Sequence, residues 1–96
     1  MKKQTTKKID KKQYDVKLKM AGLVYTSRAN TIENALDKLN LDWNNVKAKG
    51  VVEIDNGKQK YEHLFYTTQL KRIFANKITR MMWGKRLTLL LKEQTK

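Results

Sequence analysis

The sequence predicts a two-layer α+β fold, in which an antiparallel sheet built from two β-hairpins carries helices on one face. Apolar and polar residues alternate in two separate stretches, residues 14–28 and residues 47–66, as expected for half-buried strands. Each stretch contains turn residues near its middle and is followed by apolar residues at helical spacing. The predicted order is therefore ββαββα, followed by an apolar C-terminal segment that its pattern leaves open as strand or helix.

The first hairpin follows from the strict alternation of residues 14–20, YDVKLKM, and from a return strand after a tight turn at residues 21–22. This turn sets Asp15 opposite Arg28. The inner face is predicted to hold Val16, Leu18, Met20, Leu23 and Tyr25, and the outer face Lys17, Lys19, Thr26 and Arg28.

The second hairpin is predicted around a two-residue turn at Asn56-Gly57, because these residues tolerate the positive φ angles of a type I′ turn. That turn pairs Glu53 with Lys60. One face of the hairpin is then apolar, with Ala48, Val52, Ile54, Tyr61 and Phe65, and the other carries Lys47, Lys49, Lys58, Lys60 and Tyr66.

The first helix is predicted from Thr31 to about Asn40, because Asn30 and Glu33 have the spacing of a capping box before an amphipathic stretch. A hairpin followed by the helical segment TIENALDKL resembles the opening of a β-grasp (ubiquitin-like) fold. The resemblance covers under half of the chain and implies no function.

The second helix is predicted to begin after Thr67 or Thr68. A stop or kink is expected near Asn76, which tolerates the left-handed conformation after a helix, and a further break at Gly84. Residues 87–91 are the apolar run that periodicity assigns to neither a strand nor a short helix.

Length and composition restrict the classes of protein to consider. With 96 residues the chain suits one compact α+β domain, predicted over residues 13–96. Residues 1–12, MKKQTTKKIDKK, bury too little apolar surface to offset the entropy of ordering and are predicted to form a flexible basic arm. Cysteine is absent, which excludes disulfides and thiolate metal sites.

The same composition bears on location and source. No apolar run approaches the length of a membrane span and no secretory signal follows the basic start, so a cytoplasmic location is expected. Lysine makes up most of the 22 basic residues and proline is absent. This bias is typical of an A+T-rich genome, such as that of a low-GC bacterium or its phage.

The sequence contains few of the residue patterns that catalysis requires. His63 is the one histidine, and it is predicted to lie opposite Gly50 with no second potential metal ligand beside it. It is therefore predicted to be a structural histidine. Carboxylates are few and form no cluster that would hold Mg²⁺, and the residues around Gly57 lack the spaced glycines of a phosphate-binding loop. The chain is therefore predicted to be non-catalytic, with no metal or cofactor.

Binding chemistry is better represented. A formal net charge of +13 repels itself, and proteins with such an excess commonly bind a polyanion, most often nucleic acid. Lysine binds phosphate as a point charge, without the bidentate geometry of arginine. We therefore expect contacts to the nucleic-acid backbone with weak sequence specificity. If the hairpins join, their lysines are predicted to form one basic surface. The candidate binding residues are Lys17, Lys19, Arg28, Lys47, Lys49, Lys58, Lys60, Tyr66, Lys71, Arg72, Arg80, Lys85 and Arg86.

Aromatic residues near these cations are candidate stacking partners for bases. Tyr66 falls on the lysine face and is expected to stack on an unpaired base. Trp43 has no cation immediately beside it. This favours a side chain that covers the core as a lid, rather than a platform on which a base stacks. Residues 81–83, Met-Met-Trp, favour core or a protein interface, and Trp83 is alternatively a stacking partner beside the C-terminal arginines.

Two functions from different classes follow from these features. The first is a small nucleic-acid-binding protein, with RNA preferred over DNA, which contacts phosphates through the lysine-rich sheet face and the basic arm, as in a ribonucleoprotein. The second is a protein-interaction module, such as a phage-encoded inhibitor, whose basic face docks on the acidic, nucleic-acid-binding groove of a partner enzyme. Membrane binding is not expected, because no predicted helix joins a strong lysine face to a deep apolar one.

Overall fold

The computed structural model of the chain describes residues 13–94. The basic arm predicted at residues 1–12 lies outside the described residues. In chain order the elements are β1 (Tyr14–Met20), β2 (Leu23–Ala29), α1 (Ile32–Leu39), a 3-10 helix (Trp43–Asn45), β3 (Gly50–Asp55), β4 (Lys60–Phe65), α2 (Thr67–Ala75) and α3 (Lys77–Glu93). The predicted α+β class and the order ββαββα are confirmed, and α3 follows α2.

The four strands form one antiparallel sheet in the order β2-β1-β3-β4. β1 pairs with β2 in the first hairpin and with β3 on its other side, so the two hairpins join edge to edge. Every pairing in the sheet is antiparallel, and the features that resemble a β-grasp fold are the first hairpin and α1.

The first hairpin has the predicted register. Asp15 lies opposite Arg28, and the turn takes positive φ angles of 51° at Ala21 and 82° at Gly22, as a type I′ turn requires. The inner side chains of β1 are buried, as predicted. Leu23 is instead 54% exposed, because it lies at the end of an edge strand.

The second hairpin departs from the predicted register by two residues. Asp55 pairs with Lys60, and residues 56–59 form a four-residue loop in place of the two-residue turn. The Asn56 side chain holds this loop by accepting hydrogen bonds from the backbone N–H of Lys58 (2.9 Å) and of Gln59 (2.7 Å). Since the shift is an even number of residues, the side chains of β3 and β4 keep their predicted faces, whereas Lys58 now lies in the loop.

Three of the predicted helix boundaries need correction. α2 begins at Thr67 with Tyr66 as its N-cap, and not after Thr67 or Thr68. α1 is capped by Thr31, whose hydroxyl accepts from the Asn34 N–H (3.1 Å), and not by Asn30. The predicted break at Asn76 is confirmed, but this residue is extended, with φ −132°, and not left-handed. Its side chain instead caps the start of α3 by accepting from the Ile78 N–H at 2.8 Å.

α3 runs without interruption from Lys77 to Glu93, so the break predicted at Gly84 is wrong and residues 87–91 are helical. Gly84 is buried where α3 crosses α1: a Cβ placed on it would lie 2.7 Å from the Glu33 Cα. The glycine permits close approach of the two helices and does not end one.

The helices cover one face of the sheet, with α1 against β1 and β2 and with α3 between α1 and β4. Strands and helices both contribute to one apolar core, whose fully buried members include Leu18, Ile32, Leu36, Val52, Ile54, Phe65, Leu70, Ile73, Leu87 and Leu91. The opposite face of the sheet is left to solvent. Within residues 13–94, none of the helices has the length and apolar character needed to cross a bilayer.

Candidate nucleic-acid interface

The outer face of the sheet carries cations and carboxylates side by side. Three rows of partners cross it: Arg28–Asp15–Asp55–Lys60, Thr26–Lys17–Glu53–Glu62 and Val24–Lys19–Val51–Leu64. Each cation therefore has a carboxylate within or diagonal to its row. The continuous basic surface predicted for this face is not formed, because the strands that bring the lysines together bring the carboxylates with them.

Ion pairs hold several of these cations. The Glu53 carboxylate lies 3.6 Å from the Lys19 ammonium and 3.3 Å from that of Lys60, and its side chain is only 12% exposed. Burial alone would raise the pKa of Glu53, but the ammonium groups of Lys60, Lys19 and Lys17 outweigh it and hold that pKa below its ordinary value. Glu53 is thus an anionic centre in the middle of the predicted phosphate-binding face.

At the edge of the same face, Arg28 makes two hydrogen bonds to the carboxylate of Asp15. This pairing lowers the pKa of Asp15. A depression of about 440 Å³ lies between these groups and Lys60, lined by Asp55 and Glu53 as well as by the cations. With both signs of charge around it, this depression does not favour a polyanion.

Further cations lie at one end of the sheet, beyond the three rows. Gly50 pairs with Phe65, so the next positions outward along the two strands are Lys49 and Tyr66, and both are exposed. Lys47 is exposed two residues earlier. Tyr66 is 62% exposed, which leaves its ring available to a ligand.

The 3-10 helix adds a second aromatic ring to this end. α2 begins directly after Tyr66 and packs against the 3-10 helix. Trp43, in that 3-10 helix, is 44% exposed and is therefore not the core lid that the sequence favours. Arg72 lies on the exposed side of α2, whereas Lys71 is half-buried. We call this surface the basic end, defined by Trp43, Lys47, Lys49, Tyr66 and Arg72.

Lys58 is separated from this surface. It lies in the four-residue loop at the opposite end of β3, where the Gln59 side chain donates to the Leu91 carbonyl (3.2 Å) near the end of α3. Lys58 is exposed there, close to Asp55, whose carboxylate accepts from the Gly57 N–H. The structure thus divides the lysines predicted as one set between the two ends of the second hairpin.

The C-terminal helices α2 and α3 carry several basic residues. The sequence between Glu62 and Glu93 contains no acidic residue. Lys85 and Arg86 are exposed on α3. Arg80 is turned into the fold: its side chain is 15% exposed, and its guanidinium lies 2.9 Å from the Asp37 carboxylate and donates to the carbonyl of Ile73 at 3.2 Å. Arg80 therefore ties α3 to α1 and to the end of α2.

Trp83 lies in an aromatic cluster between α3 and β4. Its ring packs edge-on against Phe65 at 4.8 Å and lies 5.4 Å from the ring of His63, while Arg86 covers it at 5.6 Å. Burial, with a smaller effect from the charge of Arg86, lowers the pKa of His63. His63 also contacts the Tyr61 hydroxyl through Nδ1 (3.1 Å), lies opposite Val52 and not Gly50, and has the surroundings of a structural side chain.

Two features of this site were not predicted from the sequence. Asp15 and Glu53 were predicted as partners of Arg28 and Lys60, but the balance of charge over the whole face was not, although Asp15, Glu53, Asp55 and Glu62 fall on the lysine side of their strands by the same alternation that places the lysines. That signal was therefore present. Exposure of Trp43 had no local signal, because it depends on where the connection before β3 runs.

Residues 13–94 contain no group of three or more His, Cys, Asp or Glu side chains placed to hold a metal ion. No protein-family model, curated protein or solved structure matches the chain. At the basic end, neighbouring segments of the chain carry exposed cationic groups and two exposed aromatic rings.

Proposed function

We propose that this protein binds nucleic acid, RNA in preference to DNA, through the basic end and not through the sheet face. The observation that carries the proposal is the segregation of charge. Cations on the sheet face are balanced by carboxylates, whereas Lys49 and Tyr66 extend from paired positions at one end of the sheet, and Lys47, Arg72 and Trp43 are exposed on the segments next to them. Ammonium and guanidinium groups next to exposed rings suit phosphates and unpaired bases.

Single-stranded RNA is the ligand class that best uses both kinds of group. Unstacked bases of loops and ends stack on aromatic side chains, while lysines follow the backbone without reading sequence. The lysine-rich residues 1–12 supply further cations for phosphates. A cytoplasmic ribonucleoprotein is the setting that this proposal implies.

Matched neutralising variants test the location of the site. Lys47→Gln/Lys49→Gln/Arg72→Gln and Lys17→Gln/Lys19→Gln/Lys60→Gln remove the same charge, one from the basic end and one from the sheet face. Binding to a short single-stranded RNA is measured by fluorescence anisotropy at several salt concentrations. Each lost phosphate contact lowers the slope of log affinity against log salt by about 0.7, so the first variant should lose about 2.

The sheet-face variant should keep the wild-type slope. Equal losses in both variants would mean diffuse attraction to a cationic protein, and a loss confined to the second would return the site to the sheet face. Circular dichroism of both variants confirms that the fold is retained.

Stacking is tested separately from charge at Tyr66. Tyr66→Ala should weaken RNA binding by about 1–3 kcal/mol, the usual contribution of one base stacked on one ring. Tyr66→Phe keeps the ring and should bind like the wild type. If the alanine variant binds as tightly as the wild type, Tyr66 does not stack on the ligand.

Capture from lysate, with and without nuclease treatment, distinguishes nucleic acid from a protein groove as the ligand. Loss of the captured material after nuclease supports the proposal. A single protein that is retained after nuclease, and is lost with Lys47→Gln/Lys49→Gln/Arg72→Gln, would contradict it and favour an acidic protein groove.

A further inference from the structure

α3 exposes an apolar ridge on the side that faces away from the core. Ile78, Met82 and Leu89 are 73%, 63% and 58% exposed, although residues of this type are usually buried. They follow one another with Lys85 at steps of four, three and four residues, which is the spacing of one helix face. The buried face of the same helix, with Gly84, Leu87 and Leu91, is on the opposite side.

The Leu89 end of the ridge borders a groove. A mostly apolar groove of about 440 Å³ runs between α1 and α3, with the buried Tyr14 and Ile32 and the single carboxylate of Glu33 among its lining residues and Lys85, Thr88 and Leu89 on its α3 side. A projecting row of apolar side chains beside such a groove is the form of surface that receives an amphipathic helix. Scattered apolar residues would not produce it.

Charge decides what can occupy this surface. Lys77, Lys85, Arg86 and Lys92 all lie on α3, and Glu93 is its one acidic residue. A second copy packed through α3 would bring these cations together on top of a net charge of +13 per chain, so self-association is opposed. Residues 1–12, half of them lysine, are repelled for the same reason. An acidic occupant is attracted.

We propose that α3 is the docking face for an acidic amphipathic helix of a partner protein. An apolar side chain of that helix enters the groove between α1 and α3, others pack on Met82 and Leu89, and its carboxylates meet Lys85 and Arg86. Apolar contact supplies affinity, and charge complementarity selects the partner and its orientation. The docking face shares no residue with the basic end, so the inference does not depend on the proposed function.

Two designed peptides test the proposal. One is a helical peptide with leucines along one stripe and glutamates elsewhere; the other has the same composition scrambled, so that no stripe forms. Both have the charge that any cationic protein attracts, and only the first has the apolar stripe. We expect the striped peptide to bind at least about tenfold more tightly, a difference of about 1.4 kcal/mol that burial of a few methylene groups supplies.

Variants of the full chain locate the contact. Met82→Ala/Leu89→Ala should abolish the preference for the striped peptide, whereas Val24→Ala/Leu64→Ala, which truncates exposed apolar residues of the sheet face, should keep it. All four side chains are exposed, so the fold should tolerate both changes. Lys85→Glu should weaken binding of the acidic striped peptide and strengthen binding of a striped peptide with lysine in place of glutamate.

Each other outcome overturns the proposal. Equal binding of striped and scrambled peptides would leave only charge attraction. A wild-type dimer in sedimentation equilibrium that Met82→Ala/Leu89→Ala dissociates would make a second copy the occupant. Anionic phosphatidylserine vesicles that bind the wild type and not this variant, with no peptide preference, would make a lipid surface the occupant.

Discussion

Gly84 lies where α3 crosses α1, and its missing side chain is what lets the two helices approach. A Cβ at this position would lie 2.6 Å from the Glu33 Cγ and 2.7 Å from the Glu33 Cα. In an exposed helix, alanine would be favoured over glycine by about 1 kcal/mol. Steric overlap with backbone outweighs that preference, because the neighbouring helix must move.

Gly84→Ala is therefore expected to destabilise the protein by about 1–3 kcal/mol, the usual cost of overpacking a core contact. Urea unfolding followed by circular dichroism measures it. Lys85→Ala, one residue along on the exposed side, is the control and should change stability little. An increase in the stability of Gly84→Ala would contradict the close approach of the helices.

His63 makes stability depend on pH. Its pKa in the folded state is below the ordinary 6.5, because burial among Tyr61, Phe65 and Trp83 and the charge of Arg86 disfavour protonation. Below pH 6.5, His63 is protonated in the unfolded chain but stays neutral in the folded chain until the pH approaches its lower folded-state pKa. Stability is therefore full above that pH and falls as the pH drops from 6.5 towards the folded-state pKa.

The urea midpoint of the wild type should accordingly be lower at pH 5.5 than at pH 7.5, by an amount that corresponds to at most about 1.4 kcal/mol per pH unit. His63→Phe should lose this dependence. The range stays above the titration of Asp15 and Glu53, whose pKa values are lowered and whose ion pairs weaken only in stronger acid. An unchanged slope in His63→Phe would assign the dependence to other groups.

At the scale of elements, the joint between α2 and α3 is built by polar groups. Asn76 ends α2 in an extended conformation and caps α3 by accepting hydrogen bonds from the N–H groups of Ile78 and Thr79. Arg80, one turn later, donates to the carbonyls of Ile73 and Phe74 at the end of α2. These contacts satisfy free backbone groups at both helix ends, which fixes the turn between them.

Asn76→Ala should therefore lower the free energy of unfolding by about 0.5–2 kcal/mol, the usual effect of losing a helix N-cap. Asn76→Asp keeps an accepting oxygen and should retain most of the stability. Thermal unfolding of the three proteins compares them. Equal losses in the alanine and aspartate variants would mean that the side chain does not act as a cap.

At the scale of the whole molecule, like charges repel one another. The chain has 22 basic and 9 acidic residues. The ion pairs of the sheet face neutralise only a few of the basic residues. The remaining cations destabilise the compact state by self-repulsion, which salt screens over a Debye length of about 8–10 Å at physiological strength.

Raising sodium chloride from low to moderate concentration should thus increase stability. A gain of about 1 kcal/mol would raise the melting temperature by about 4–8 °C in a domain of this size. Differential scanning calorimetry without nucleic acid measures the change. A melting temperature that falls with salt would mean that the surface ion pairs outweigh the repulsion.

Much of this architecture can be predicted from local patterns. Alternation in β1 and in the two strands of the second hairpin places each side chain on the inner or outer face, and that assignment does not change when the register of the hairpin shifts by two residues. The helical spacing of residues 32–39 likewise predicts which side of α1 is buried. These properties depend on residues close together in the chain.

Contacts between distant segments were decided only by the tertiary structure. The pairing of β1 with β3 places Lys19 beside Glu53, and the crossing of α3 over α1 makes Gly84 a contact and turns Arg80 towards Asp37. The sequence of a strand determines the charge of that strand. The net charge of a surface also depends on which other segments of the chain pack beside that strand. Electrostatic energy depends on distances across the fold, and these are set once the hairpins and helices pack.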